Sequence, residues 1–350
     1  MWRWRLRNIN LFFALLLSLA AAVGVAILAA WMLAPWLNMG DETTSPADLT
    51  RLALTIAAGV GGVVALVVAY RRQRDLEQSR FIEGFGAAAK QLGDADVAVR
   101  MAGVYAMAGV ADQTSRLKRQ QCIDVLCGYL RLPYSPERGN NHQSGLTIKR
   151  PLRREGGLEE ELRFQYRQND MEVRQAIVSV ITDHLRNWSW SANDFEFSGC
   201  HLENADFRNA VFNGHSVRFA GVTFSGRYTL FGEASFFGKY TSFEEATFIS
   251  ANTSFEEATF IGANISFEKA TFSSEDTSFE KAIFRGKNTS FRLADFGKNR
   301  VSFEYPKEWR PDPAFDWSAE GNEGKPKPPN VLPQDWPPGP NRSRSSARVS

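Results

Sequence analysis

The chain has 350 residues, room for two or three structural units. Its 41 Lys and Arg offset 39 Asp and Glu to a formal charge of +2, which excludes the strongly basic field of a nucleic-acid-binding chain. Cys122, Cys127 and Cys200 are too few, and odd in number, for a disulfide framework, and they point to a reducing compartment.

Residues 1–74 are apolar with arginine at both margins. A first uncharged run covers about Ile9 to Leu33 and a second covers about Leu52 to Tyr70. About twenty apolar residues suffice to cross a bilayer, so the pattern predicts a transmembrane helical hairpin with spans of about 9–33 and 52–70. Arg3, Arg5 and Arg7 precede the first run and Arg71, Arg72 and Arg74 follow the second. That flank charge predicts an integral protein of the plasma or inner membrane, with both termini in the cytoplasm and the loop around Asp41–Asp48 outside. Trp2, Trp4, Trp31, Trp36 and Tyr70 fall where interfacial aromatics belong. The first run is longer than a signal peptide's core, and a second run follows at once, which argues against cleavage. Gly59, Gly61 and Gly62 offer a close-packing face, and with it a homo-oligomer or a channel-like sensor. No charge inside either span marks a transport path.

Residues 75–190 read as a small cytoplasmic helical domain. Apolar residues at helical spacing predict helices over 75–92, 96–110, 115–130 and 170–185, with a long Gly-, Arg- and Pro-rich loop at 134–168. The pattern Asp96-x-x-Val99-Arg100-x-Ala102-x-Val104 returns as Asp170-x-x-Val173-Arg174-x-Ala176-x-Val178, each opened by a good N-cap. This Val-Arg-x-Ala pattern resembles the second helix of HEAT-type repeats, which implies helical hairpins stacked as a scaffold.

A twelve-residue period governs residues 191–304. Phe207, Phe219, Phe231, Phe243, Phe255, Phe267, Phe279, Phe291 and Phe303 form one series. Phe212, Phe224, Phe236, Phe248, Phe260, Phe272, Phe284 and Phe296 form the other, so the gaps alternate between five and seven. A fixed period means stacked like units. The residue two before each Phe is small or β-branched and shares its side of an extended chain, so each segment turns one large and one small group inward. Spacings of five and seven do not hold a stripe at 3.6 residues per turn, which argues against a helix. All seventeen Phe are expected in a structural core.

The units Ala246-Thr247-Phe248 and Ala258-Thr259-Phe260 resemble the pentapeptide-repeat family over roughly Asp194 to Glu304. The resemblance implies a right-handed, four-sided β-helix. Every second unit here carries two extra residues, and four faces then need about 24 residues per coil. A 20-residue coil is the alternative, and the strict period opposes it. At an offset of 24, Glu203 faces Arg227, Glu245 Lys269, Glu257 Lys281, Glu268 Arg292 and Asp276 Arg300. Four like-charged pairs among the Glu residues offset these, so charge does not decide the coil length. The order of parts is similar to a class of bacterial pentapeptide-repeat membrane proteins with no defined activity.

The fourth helix is expected to cap the first coil, with Trp188, Trp190, Phe195 and Phe197 at the seal. Tyr305, Trp309, Phe315 and Trp317 are expected over the last coil. Residues 305–350 hold ten of the fifteen prolines and read as a disordered tail.

His142, His184, His201 and His215 lack metal-ligand spacing. Cys122 and Cys127, five apart, read as buried structural thiols. Asp183 and His184 are neighbours on a helix and point apart. Glu244-Glu245 and Glu256-Glu257 read as a solvated face. No phosphate loop is present. The chain therefore reads as no enzyme, with no cofactor, metal or nucleic acid. The expected function is a membrane-anchored, non-catalytic protein-interaction scaffold, with the bilayer and a protein as partners. The alternative is a DNA mimic regulating a topoisomerase, a role that the resemblance brings with it. Residues 192–304 carry 15 acidic and 11 basic side chains, a mixed balance for that role.

Overall fold

A computed structural model describes residues 46–136, 145–151, 159–165, 170–317 and 325–339, with Gly24, Ile27 and Trp31 besides. The chain divides into two units, Met1–Ile82 and Glu83–Ser350.

The transmembrane part of the expected fold is corrected. Among the described residues, no helix is long and apolar enough to cross a membrane. The run Ile9–Leu33 lies almost wholly outside the described residues. The run Leu52–Tyr70 is the first half of helix α1 (Pro46–Leu92), which continues through Arg71, Arg72, Arg74, Asp75 and Glu77. Arg, Gln, Glu and Leu are strong helix formers, so nothing at residue 70 stops the winding.

Three further helices build the start of the second unit: α2 (Val97–Asp112), α3 (Arg116–Leu130) and α4 (Asp170–Arg186). Asp96 caps α2 by accepting from Ala98 N at 2.7 Å. Gly103 lets α2 approach the end of α1, because a Cβ there would stand 2.7 Å from Leu92 N. The expected loop 134–168 is corrected as well. It contains an antiparallel hairpin, β1 (Gly145–Pro151) with β2 (Glu159–Gln165), which sets Lys149 opposite Glu161 and Ile148 opposite Leu162.

From Phe195 onward the chain winds as a β-solenoid. Ser216–Arg218, Tyr240–Ser242, Asn264–Ser266 and Asn288–Ser290 stack in parallel register, each 24 residues after the last. Val211–Phe212, Ser235–Phe236, Thr259–Phe260, Ile283–Phe284 and Glu308–Trp309 form a second stack. Thr223–Leu230 runs across both remaining faces. The 24-residue coil therefore fits.

The interior is four columns of rings. Phe219, Phe243, Phe267, Phe291 and Phe315 stack with centroids 4.9, 4.8, 4.6 and 4.8 Å apart. Those separations match the spacing of neighbouring strands, about 4.8 Å, so the backbone ladder sets the ring stack. Rings of adjacent columns meet edge to face, as Phe243 meets Phe255 at 88°. Both arrangements suit the aromatic quadrupole. All seventeen repeat Phe are buried.

Two of the corners are built differently. Gly214, Gly238, Gly262 and Gly286 stack at one, where a Cβ on Gly262 would stand 2.3 Å from Gly238 O. Across the section, buried Ser250 and Ser274 join a hydroxyl chain with Thr229 and Thr253, at 2.8 to 3.0 Å.

The expectation of disorder from residue 305 is corrected too. Glu308–Trp309 pairs with Ile283–Phe284, and Val331–Leu332 pairs with Val301 and Ser302. Those pairings satisfy backbone groups that the last coil would otherwise leave open.

Candidate functional site: the solenoid surface and its junction with the helices

The repeat Ser-Phe-Glu-Glu-Ala folds each outer corner. The Ser Oγ accepts from the backbone N–H two residues on, as Ser254 does from Glu256 N at 3.3 Å. Ser and Thr make such local bonds readily in turns. The second Glu position then takes a left-handed backbone: Glu233, Glu245, Glu257, Lys269, Lys281 and Leu293 all have φ of 56 to 59°. The Ala closes the turn, as Ala258 N donates to Phe255 O at 3.0 Å.

Lys and Arg one coil away answer the corner carboxylates. Lys269 Nζ lies 3.0 Å from Glu245, and Lys281 Nζ lies 3.2 and 3.4 Å from Glu256 and Glu257. Lys307, about two coils on, reaches Glu257 at 2.7 Å. Arg300 spans Asp276 and Glu280 at 3.2 and 2.6 Å. Exposed pairs of this kind contribute about 0–1 kcal/mol each. Their larger effect is on the field, because the carboxylates make no unbroken acidic strip. Glu203 instead accepts from Tyr134, and Glu268 from Ser290 Oγ. The DNA-mimic alternative is not supported.

Between the corners the faces carry exposed apolar groups. Tyr228, Phe237 and Tyr240 are 36 to 38% exposed, and Ile249 is 50% exposed. Tyr228 and Tyr240 begin outward-facing strand segments, whereas Phe237 and Ile249 directly follow core rings.

Where α3 and α4 meet the first coil, a pocket is lined by Tyr134, Arg174, His201, Glu203 and their neighbours. The Arg174 guanidinium lies 4.4 Å from the centre of the Tyr134 ring. It donates to Leu130 O and, at 3.3 Å, to His201 O, and lies 3.7 Å from Asp170. Asp170 in turn accepts from Tyr129 OH at 2.5 Å. Burial and the carboxylate of Glu203 push the Tyr134 hydroxyl far above its usual range, so it stays a donor. Burial, aided by Arg174, lowers His201 and favours the neutral ring, although Glu203 opposes it. His201 Nε2 lies 2.7 Å from Ser225 Oγ. The cluster ties helices to solenoid; every charged group in it already faces a partner.

The other candidate residues lie apart. His142 is outside the described residues. His215 packs on Tyr240. His184 stacks on Trp190 at 4.1 Å with Nε2 3.0 Å from Asp112, while Asp183 pairs with Arg186. Cys122, Cys127 and Cys200 are buried and free, and burial raises Cys122 to about 11 and Cys200 to about 12.

Sequence reasoning passed over three groups: the stacked glycines, the capping role of Arg100 and Arg174, and Trp336. Arg100 Nη1 donates to Asp94 O and Ala95 O just past the end of α1, as Arg174 does to Leu130 O at the end of α3. The repeated Val-Arg pattern held that signal.

A family model for pentapeptide repeats matches this chain in eight copies, over residues 196–226. No curated protein and no solved structure matches. The solenoid is thus a pentapeptide-repeat β-solenoid with coils of about 24 residues, a fold typical of protein interaction.

Proposed function

We propose that this chain is a non-catalytic scaffold whose solenoid faces bind a protein partner. The observation that carries the reading is the rigid ladder of outward positions, on which Tyr228, Phe237, Tyr240 and Ile249 stand exposed between charge-paired corners. Aromatic anchors surrounded by polar groups are the usual composition of a binding hot spot. The helices brace the first coil. This reading stands without the membrane hairpin.

The test is site-specific photo-crosslinking in native cells. A crosslinker at exposed Lys239, which lies between Phe237 and Tyr240, should trap one discrete protein, and Phe237→Ser with Tyr240→Ser should abolish the product while leaving the melting temperature unchanged. Crosslinks that survive the double substitution, or that form equally from every face, would refute the reading.

A further inference from the structure

Charge is not spread evenly over the corners of the solenoid. The four segments that turn the glycine corner, 213–218, 237–242, 261–266 and 285–290, contain no Asp or Glu. They set His215, Lys239, Ala263 and Lys287 in one row, each 24 residues after the last. The corners on either side do hold carboxylates, Glu244, Glu245 and Glu268 on one and Glu233 and Glu257 on the other.

The two lysines of the row differ from those of the acidic corners. Lys269 and Lys281 each reach a Glu one coil away. Lys239 and Lys287 are exposed, and among the described residues neither forms an ion pair. Arg285, beside them, is already held by Glu308 at 2.9 Å. Lys239 Nζ lies 4.9 Å from the centre of the Tyr240 ring, an arrangement that favours a cation. On the other side of Lys239 stands exposed Phe237, with Ile261 half-buried one coil on.

We propose that this corner binds an acidic, extended segment of the protein partner, with carboxylates on Lys239 and Lys287 and an apolar side chain against Phe237 and Ile261. The inference rests on the reading of the solenoid as a protein-binding scaffold and names the chemistry of what it binds. Charge complementarity selects the occupant, because the row offers cations that no group of this chain neutralises. Width selects its shape. Each face is only two or three strand residues across, about 7 to 10 Å, so a broad anionic surface would also meet the Glu-bearing corners. A single extended segment along the row avoids them. The two lysines stand two coils apart, about 10 Å at the backbone. A polyproline-II segment returns every third residue to the same side about 9 Å on, which brings two carboxylates to that spacing.

The test uses the full chain in native cells with a photo-crosslinker at Ala263, a position where the same corner accepts lysine one coil away on either side. The partner's linked peptide is sequenced by mass spectrometry, and the yield is compared with that of K239E with K287E. The expected result is a peptide with an excess of Asp and Glu. Its yield should fall about tenfold or more on the double reversal and persist in K239R with K287R. If the double reversal lowers the melting temperature, K239Q with K287Q replaces it, with a loss expected in the same direction. A linked peptide without that excess, a yield indifferent to the substitutions, or a product made of nucleic acid or lipid overturns the proposal. If Ala263 traps nothing while crosslinkers at Tyr228 or Ile249 trap a protein, the acidic segment falls and the scaffold stands. Silence from all of these positions and from Lys239 removes both.

Discussion

Gly262 shows how tightly a single residue constrains this fold. A Cβ there would stand 2.3 Å from Gly238 O in the coil below, and one on Gly232 would meet nothing nearer than 3.6 Å. Gly262→Ala should cost about 2–3 kcal/mol in urea denaturation, the scale of a forced backbone shift. Gly232→Ala should cost under about 0.5 kcal/mol, as surface changes do. Leu293 is the reverse case. Its φ of 57° is a conformation that costs an ordinary residue about 1–2 kcal/mol, so Leu293→Gly should raise stability despite the looser unfolded chain. A lower melting temperature for that variant would contradict the reading of the corners. These glycines also show where the sequence was more informative than the argument drawn from it. The Phe series, with two extra residues in every second unit, already favours 24 residues per coil over 20, although the charge pairs nearly cancel. Gly214, Gly238, Gly262 and Gly286 recur every 24, while the intervening positions hold Gly226, Ser250 and Ser274. Only a 24-residue coil places all four glycines on one corner.

At the scale of elements, the ring columns and the acid response belong together. Phe255 touches rings in its own column and in its neighbours', and Phe255→Ala should cost about 3–5 kcal/mol. Acid should act through three carboxylates. Bonds from Lys307 hold Glu257 below its usual range, and bonds from Arg285 do so for Glu308. For Asp206, burial raises the carboxyl, but the bonds from Arg208 and the nearby Arg186 outweigh it and leave the group lowered. A carboxylate depressed in the folded state adds stability that is complete above its unfolded value, about 4, and fades as pH falls through the folded one. The half-buried, depressed His201 has the same sign, and its share fades below about pH 6.5. Melting temperature should therefore fall from pH 7 to 5 and again below 4, and His201→Gln should flatten the first step. A flat profile across both windows would contradict these assignments. Helices α2, α3 and α4 were legible in periodicity and caps. The β1–β2 hairpin was not, because its strands sit amid Gly, Arg and Pro and pair only with each other. Helix α1 was divided in two, at 52–70 and 75–92, because basic flanks were read as a boundary where the residue types favour continued winding.

At the scale of the molecule, repetition made the solenoid readable and its terminations were the hard part. The seal by α4 was visible in Trp190, Phe195 and Phe197, which are buried, whereas Trp188, expected beside them, stands exposed. The returning segment 325–339 was hidden by its prolines, which mark a tail as readily as a cap, and Trp336 packs on the last rings from outside any repeat. The surface that would bind a partner carries no motif, because exposed Tyr228, Phe237 and Ile249 are distinguished only by their places on the several faces of the solenoid. Everything said of that surface depends on residues 24 apart standing side by side. Asn288 Nδ2 donates to Asn264 Oδ1 at 2.9 Å, on strands that pair in register. Strand neighbours about 4.8 Å apart fall within disulfide reach. The most direct test is oxidation of N264C with N288C beside E268C with N288C, read by mass spectrometry of the linked peptides. A bridge in the first pair and none in the second is the predicted result; a bridge only between the cysteines 20 apart would contradict the coil.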